Sequence, residues 1–289
     1  MRNANFKLIL EDTQKPVVLR IYEHNPLLCQ KELDIVRLIR SSVPVPEIIH
    51  AEPQGWEDVP PFVIMSYLEG VSFRDLRDSG DRDAIAEASY SAGETLAAIG
   101  RFTFPKPGWL APGPTVTFPL LEGPDPMPRF VDSCLASPNL QARMPTTLRD
   151  CTHAMMWEHA PQLAGLGNDA RLAHGDFNKR NLLVLQNAGR WQVSGVLDWE
   201  FAVSSSPLGD IGNFLRYEKA SQPLVEPHFS EGYRRAGGEL PHNWRYMARI
   251  FDLVALCESL CREWLPEVVA PELVELVAAT TEKRHPQVK

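Results

Sequence analysis

The stretch His174-Gly175-Asp176-Phe177-Asn178-Lys179-Arg180-Asn181, running on into Leu182-Leu183-Val184-Leu185, decides the fold. After Asn187-Ala188-Gly189 the chain returns as Val193-Ser194-Gly195-Val196-Leu197-Asp198. Two apolar runs around a turn of Asn and Gly predict a β-hairpin. Folded near residue 189, that hairpin sets position 181 roughly opposite 197. Asn181 then enters the first strand where Asp198 leaves the second, and Asp176 sits in the loop just before. Two carboxylates and one amide oxygen converge at one edge. Hard oxygen ligands of this kind suit Mg²⁺, which takes one or two carboxylates together with water and phosphate oxygens. An acid left free beside the metal can accept a proton from a hydroxyl nucleophile. The order H-x-D-x-x-x-x-N, hairpin, Asp is the catalytic arrangement of kinases.

Toward the N-terminus, residues 5–22 predict another hairpin. Phe6, Leu8 and Leu10 alternate, residues 11–15 turn, and Val17, Leu19 and Ile21 alternate with Val18, Arg20 and Tyr22. A helix is expected at about 27–40, with Leu28, Glu32, Ile35, Val36 and Ile39 on one face. Val43-Pro44-Val45-Pro46 stops it. Residues 47–52 and 62–67 predict two more strands. Val18 and Arg20 share a strand face, and Glu32 lies on the apolar side of the helix. That matches a strand cation paired with a helix glutamate, here with Arg in place of Lys. Beyond Gly70 the pattern turns helical, with Ile85, Ala88, Ala92, Leu96 and Ile99 at helical spacing. Eight prolines within 105–128 predict a long irregular connection. Helix is expected at 146–165 and over most of the chain from the second hairpin to about 282.

Composition narrows the function. The 289 residues carry 29 Lys+Arg against 37 Asp+Glu, a net charge of −8, which argues against binding nucleic acid through its phosphates. Apolar runs are too short for a membrane-spanning helix, and no signal-peptide pattern opens the chain. Cys29, Cys134, Cys151, Cys257 and Cys261 are scattered and lack C-x-x-C, which predicts reduced thiols in a cytoplasmic protein. No G-x-x-x-x-G-K-[ST] and no zinc-type histidine spacing occurs. Gly165-Leu166-Gly167-Asn168-Asp169-Ala170 fits G-x-G-x-x-A, but it follows a predicted helix, the wrong context for a dinucleotide site.

The chain resembles the aminoglycoside phosphotransferase family, small-molecule kinases of the protein-kinase-like fold. The resemblance rests on Val18-Leu19-Arg20, Lys31-Glu32-Leu33, Val43-Pro44-Val45-Pro46, Met65-Ser66-Tyr67-Leu68-Glu69-Gly70, the 174–181 loop, Val196-Leu197-Asp198-Trp199 and Gly209-Asp210-Ile211-Gly212. These occur in the family's order over about three quarters of the chain. The resemblance implies an α+β, bilobal fold, with a small β-rich N-lobe (1–68) and a larger α-helical C-lobe (69–289). It implies Asp176 as catalytic base, and Asn181 and Asp198 as Mg²⁺ ligands. Arg20 would meet the ATP phosphates, held by Glu32, with Val18 beside it. Adenine would lie at a hinge of Ser66, Tyr67 and Leu68, behind Met65. Asp210 would brace the catalytic loop and His174 would pack beneath it. ATP is the expected donor, with GTP as the alternative. One departure is the missing glycine-rich phosphate loop. Only residues 1–4 precede the first hairpin, and a strand typically needs about five or six. The sheet edge at 5–10 is therefore expected to be open, with cover for the phosphates coming only from residues 2–5.

The acceptor is less defined. Only eleven residues separate Asp198 from Asp210, and no A-P-E follows, which leaves little room for a peptide platform. A small hydroxylated molecule is expected, without nucleic-acid or membrane partners, on a monomer or homodimer. Glu200, Glu258 and Glu263 are candidate contacts for a cationic acceptor. An aminoglycoside kinase, a metabolic kinase for choline, homoserine or a sugar, and a silent nucleotide-binding protein all remain open.

Overall fold

The computed structural model describes residues 3–23, 25–219 and 222–281. Strands β1 (Ala4–Ile9) and β2 (Pro16–Ile21) form the first hairpin, with Asn5 opposite Arg20. Helix α1 (Pro26–Ile39) starts at Asn25, whose side chain accepts the Leu27 amide, with Pro26 at the first helical position. Strands β3 (Ile48–Glu52) and β4 (Phe62–Ser66) complete an antiparallel sheet of order β1-β2-β4-β3. β1 is thus an edge strand, and Phe6, Leu8 and Ile9 on it are exposed. Tyr22, Cys29, Leu33 and Val63 close a small core between this sheet and α1.

The short strand β5 (Val71–Ser72) leads into α2 (Phe73–Ser79) and α3 (Arg82–Ile99), capped by Ser72 and Asp81. Residues 105–128 depart from the expected irregular connection. They carry β6 (Gly108–Ala111) and β7 (Thr115–Val116). The prolines flank these strands and none sits inside them, so no ladder donor is lost. The turn between them reaches α1, where the Gly113 amide donates to Asp34 Oδ2 at 2.8 Å.

Helices α4 (Pro126–Leu135), α5 (Pro138–Arg143), α6 (Thr146–Glu158) and α7 (Ala160–Leu166) follow. Then come β8 (Arg171–Ala173) and the expected hairpin, β9 (Leu182–Asn187) and β10 (Arg190–Val196). A single 3₁₀ turn (Trp199–Phe201) precedes β11 (Val203–Ser205). The hairpin pairs with β5, and β11 lies between β6 and β8. The chain closes with α8 (Leu208–Leu215), α9 (Glu226–Arg235), α10 (Trp244–Cys261) and α11 (Ala270–Thr281). Their apolar faces, the hairpin and α3 share one large core that includes Leu96, Phe177, Val196, Phe214 and Leu253. Among the described residues, no helix is long and apolar enough to cross a membrane.

α8 is fixed to α10 by a two-pronged ion pair. Arg216 Nε and Nη2 donate to Asp252 at 2.8 and 2.6 Å, with Asp252 buried. Removing one partner leaves the other charge uncompensated. Arg216→Ala should therefore lower unfolding free energy by about 3 kcal/mol, read from the denaturant midpoint, and Asp252→Asn should cost less. A shift under half that size for Arg216→Ala would show that water already screens the pair.

Candidate active site

The hairpin register places the loop. Leu182 pairs with Val196, and the Leu197 amide donates to the Asn181 carbonyl at 2.9 Å. Asn181 and Asp198 therefore flank the same end of the ladder. Gly195 in β10 has no side chain to displace Leu68, which packs where a Cβ would lie 2.5 Å from its Cδ1.

The loop itself is braced from below. Asp210, buried on the first turn of α8, accepts the His174 amide at 2.6 Å and the Gly175 amide at 2.9 Å. Burial pushes its carboxyl up, and those amides and His174 oppose the shift. Gly175 has φ +78°, and a Cβ there would meet the Phe201 carbonyl oxygen at 2.2 Å. Only glycine suits both constraints. His174 is fully buried beside Trp199, with ring centroids 4.5 Å apart. Its Nδ1 accepts the Asp176 amide at 3.2 Å, so Nε2 carries the proton and donates to the Leu197 carbonyl at 2.9 Å.

The Asp176 carboxylate stands above this base. Oδ1 accepts from Asn178 Nδ2 at 2.8 Å and from Asn213 Nδ2 at 3.1 Å. Oδ2 accepts from Asn181 Nδ2 at 3.0 Å. The Asn181 amide nitrogen is committed to Asp176, and among the described residues nothing donates to Asn181 Oδ1. Asp198 occupies left-handed backbone space at φ +69°, a conformation that costs energy for a non-glycine residue and that clusters at functional sites.

Across the cleft, Arg20 Nη2 donates to Asp198 Oδ1 at 2.6 Å and to Glu32 Oε1 at 3.0 Å, and lies 3.6 Å from Glu200 Oε2. Glu32 also accepts the Tyr22 hydroxyl at 2.6 Å. Burial alone would lower the Arg20 pKa, but Glu32, Tyr22 and Asp198 outweigh it and raise it. Burial raises Glu32 to about 7, with Arg20 and the Tyr22 hydroxyl pulling the other way. It also raises Glu200, reinforced by neighbouring Asp198. Arg20, Val18, Met65, Ser66, Leu68 and Asn5 line a cleft of about 370 Å³, a normal size for a small-molecule site. Asn181 and Asp198 form its far wall.

Several contacts escape the sequence reading. Lys31 Nζ donates to the Glu200 carbonyl at 2.8 Å, and burial lowers its pKa to about 8. Asn3 Nδ2 donates to Glu200 Oε2 at 2.9 Å, while Arg2 lies outside the described residues. Lys179 is buried. Its Nζ donates to the Phe214 carbonyl, and burial lowers it to about 7. Asn213 touches Asp176 from α8. Its one signal is its place three residues after Asp210, on the same helix face. Glu258 pairs with Arg262 at 3.2 Å, the Glu263 carbonyl lies 3.5 Å from Arg143 Nη2, and neither residue lines the cleft.

The sequence model of the phosphotransferase enzyme family (APH) matches residues 1–247. The chain belongs to this family. No curated protein sequence matches it significantly. Solved structures match over nearly the whole chain. A thermostable mutant of aminoglycoside phosphotransferase APH(4)-Ia, in ternary complex with AMP-PNP and hygromycin B, is 17% identical with a TM-score of 0.65, covering 96% of this chain and 93% of that one. The GDP and kanamycin complex of APH(2")-IIia gives 16% identity, TM-score 0.69 and coverage of 97% and 91%. The GDP complex of wild-type aminoglycoside 2'-phosphotransferase-IIIa gives 16%, 0.68, 96% and 89%. At such identities the likeness establishes the fold, which is the bilobal, protein-kinase-like one. Membership of the phosphotransferase family makes the chain an enzyme of that class.

The bracing of the loop is directly testable. Asp210→Ala leaves two amides without their acceptor in a buried place, at about 1–3 kcal/mol each. Hydrogen exchange at His174 and Gly175 should accelerate at least tenfold relative to the β9–β10 amides. Unchanged protection would mean that Asp210 does not hold the loop.

Proposed function

We propose that this phosphotransferase moves the γ-phosphoryl group of ATP to a hydroxyl of a small molecule, and that the acceptor is an aminoglycoside or a similar polycation. The observation that carries this reading is the meeting of Asp176, Asn181 and Asp198 at one end of the β9–β10 hairpin, facing the Arg20–Glu32 pair. Asp176 is the base for the acceptor hydroxyl. The hard-oxygen character of Asn181 Oδ1 and the Asp198 carboxylate fits Mg²⁺, and these residues would hold it. Mg²⁺, when bound, neutralises phosphate charge.

Arg20 meets the phosphates. Its Nε is buried without a hydrogen-bond partner among the described residues, a donor in want of an acceptor. Glu32 and Tyr22 keep the guanidinium in place. The adenine ring fits against Val18 and Met65. Ser66 is engaged with Glu47 through both its amide and its hydroxyl, whereas the Leu68 amide donates to no group among the described residues. Leu68 is therefore the hinge position best able to bond a base edge. The meeting of Asp176, Asn181 and Asp198 supports an active kinase over the silent nucleotide-binding alternative.

For a cationic acceptor, the net charge of −8 and the aminoglycosides bound in related structures are the support. Of the three acidic candidates, Glu200 is the one beside the site, 3.6 Å from Arg20 Nη2. Glu258 lies six residues beyond Asp252 on α10, about 9 Å farther along the helix. Its pairing with Arg262 outside the cleft favours a second reading, a neutral acceptor such as a sugar. A panel of aminoglycosides, choline, homoserine and sugars, assayed for phosphate transfer, decides between the two.

Asp176→Asn should cut transfer by about 10²–10⁴-fold and leave nucleotide affinity nearly unchanged. A mutant that keeps more than half the wild-type rate at saturating acceptor would remove Asp176 from the base role. Salt provides a separate check, because exposed carboxylate–ammonium attraction is screened over about 8 Å at physiological ionic strength. The acceptor KM should rise with salt far more than the ATP KM, whereas a salt-insensitive acceptor KM would point to the neutral class.

A further inference from the structure

Helix α8 meets the catalytic loop at three successive places. The Asp210 side chain takes the His174 and Gly175 amides, Asn213 reaches Asp176, and the Phe214 carbonyl takes the Lys179 ammonium. The Arg216–Asp252 pair then ties the same helix to α10. The loop is therefore laid on a helix that is itself anchored. Within this set, Asn213 differs from the others because it contacts the reacting carboxylate and not the backbone around it.

The direction of that contact is fixed. A carboxylate offers only acceptors, so the Asn213 atom 3.1 Å from Asp176 Oδ1 is the amide nitrogen. Asn178 Nδ2 already donates to the same oxygen at 2.8 Å. An sp² carboxylate oxygen has two in-plane lone pairs, and Oδ1 has both engaged. Among the described residues, Oδ2 receives only Asn181 Nδ2, which leaves one lone pair open. The two oxygens of one carboxylate are thus made unequal by their neighbours.

We infer that Asn213 is a positioning residue, which fills Oδ1 and turns Asp176 so that Oδ2 takes the acceptor's proton. The inference rests on Asp176 being the base. In the step concerned, the acceptor oxygen forms its bond to the γ-phosphorus as the bond from that phosphorus to the β–γ bridging oxygen breaks. The hydroxyl proton passes to Asp176 Oδ2, and the nucleoside diphosphate leaves with the bridging oxygen. Asn213 exchanges no proton. Its work is to prevent rotation of the carboxylate about the Cβ–Cγ bond, which would present the saturated oxygen instead.

Two substitutions separate this role from mere packing of α8. Asn213→Ala removes the donor, and the loss should be about tenfold in turnover, the worth of one hydrogen bond to a charged group. Asn213→Asp keeps the shape but sets a second carboxylate against Asp176, and should be worse than Ala. A packing role predicts the opposite order, because Asp fills the space and Ala leaves a gap. Turnover is read as phosphate release from Mg·ATP with water as acceptor, and as transfer to any panel member that is phosphorylated. Nucleotide KM should stay within about twofold for Asn213→Ala if the effect is confined to the proton-accepting step.

In an Asp176→Asn background, Asn213→Ala should have no further effect, since the oxygen it orients no longer acts. Crystal structures of Asn213→Ala provide a readout independent of turnover, and the Asp176 carboxylate should be rotated or split between two orientations. An unrotated carboxylate, or Asn213→Ala at full rate while Asp176→Asn is dead, overturns this inference and leaves the base assignment standing. If Asp176→Asn itself is active, it is the base assignment that fails.

Discussion

One guanidinium faces three carboxylates at the seam between the lobes. Arg20 lies within 3.6 Å of Glu32, Asp198 and Glu200, so carboxyl groups outnumber the cation here, and burial raises the Glu32 and Glu200 carboxyls in response. Buried charge of one sign is costly unless something compensates it. The surrounding chain is arranged around that imbalance. Tyr22 donates to Glu32, Asn3 to Glu200, and Lys31 comes close enough to bond the Glu200 carbonyl. The remaining excess sits on the Asp198 side, next to the free oxygen of Asn181. A divalent cation carrying a polyphosphate suits such a place, because each partner corrects the charge that the other leaves.

The catalytic loop obeys a different logic. Its backbone is held by the buried Asp210 side chain, its histidine by two backbone groups, and the Asp176 carboxylate by three side-chain amides. None of these bonds needs a ligand to form. The geometry is set before the substrate arrives, and such preorganisation is the main contribution a protein can make to phosphoryl transfer.

Much of this was legible in the sequence. The hairpin at 182–196, the helix carrying Glu32 and the strand carrying Arg20 follow from local periodicity, and the meeting of Asn181 with Asp198 follows from antiparallel register alone. What stayed hidden depends on distance along the chain. β6, β7 and β11 are only two to four residues long, and β6 meets β11 across about ninety positions, so no local pattern announces them. Lys179 looks like a surface cation in a polar loop, yet the loop turns it inward onto Phe214. Asn213 has no hydrophobic or charge signature. Its meaning comes only from the docking of α8 against a loop more than thirty residues earlier.

The turn at Gly113 gives the enzyme a mechanical property. The first sheet continues into the rest of the chain after β4, and it is also tethered through α1 by the Asp34–Gly113 and Lys31–Glu200 contacts. With Arg20 bonded to Asp198 and Asn3 to Glu200 as well, this body is held at several points besides its covalent link. Asp34 and Lys31 both lie on the helix that carries Glu32, so the helix that braces Arg20 is itself fixed from outside the first sheet. Nucleotide affinity and the α1 contacts with Gly113 and Glu200 are thereby linked through one helix, although neither contact touches the cleft that Arg20 lines.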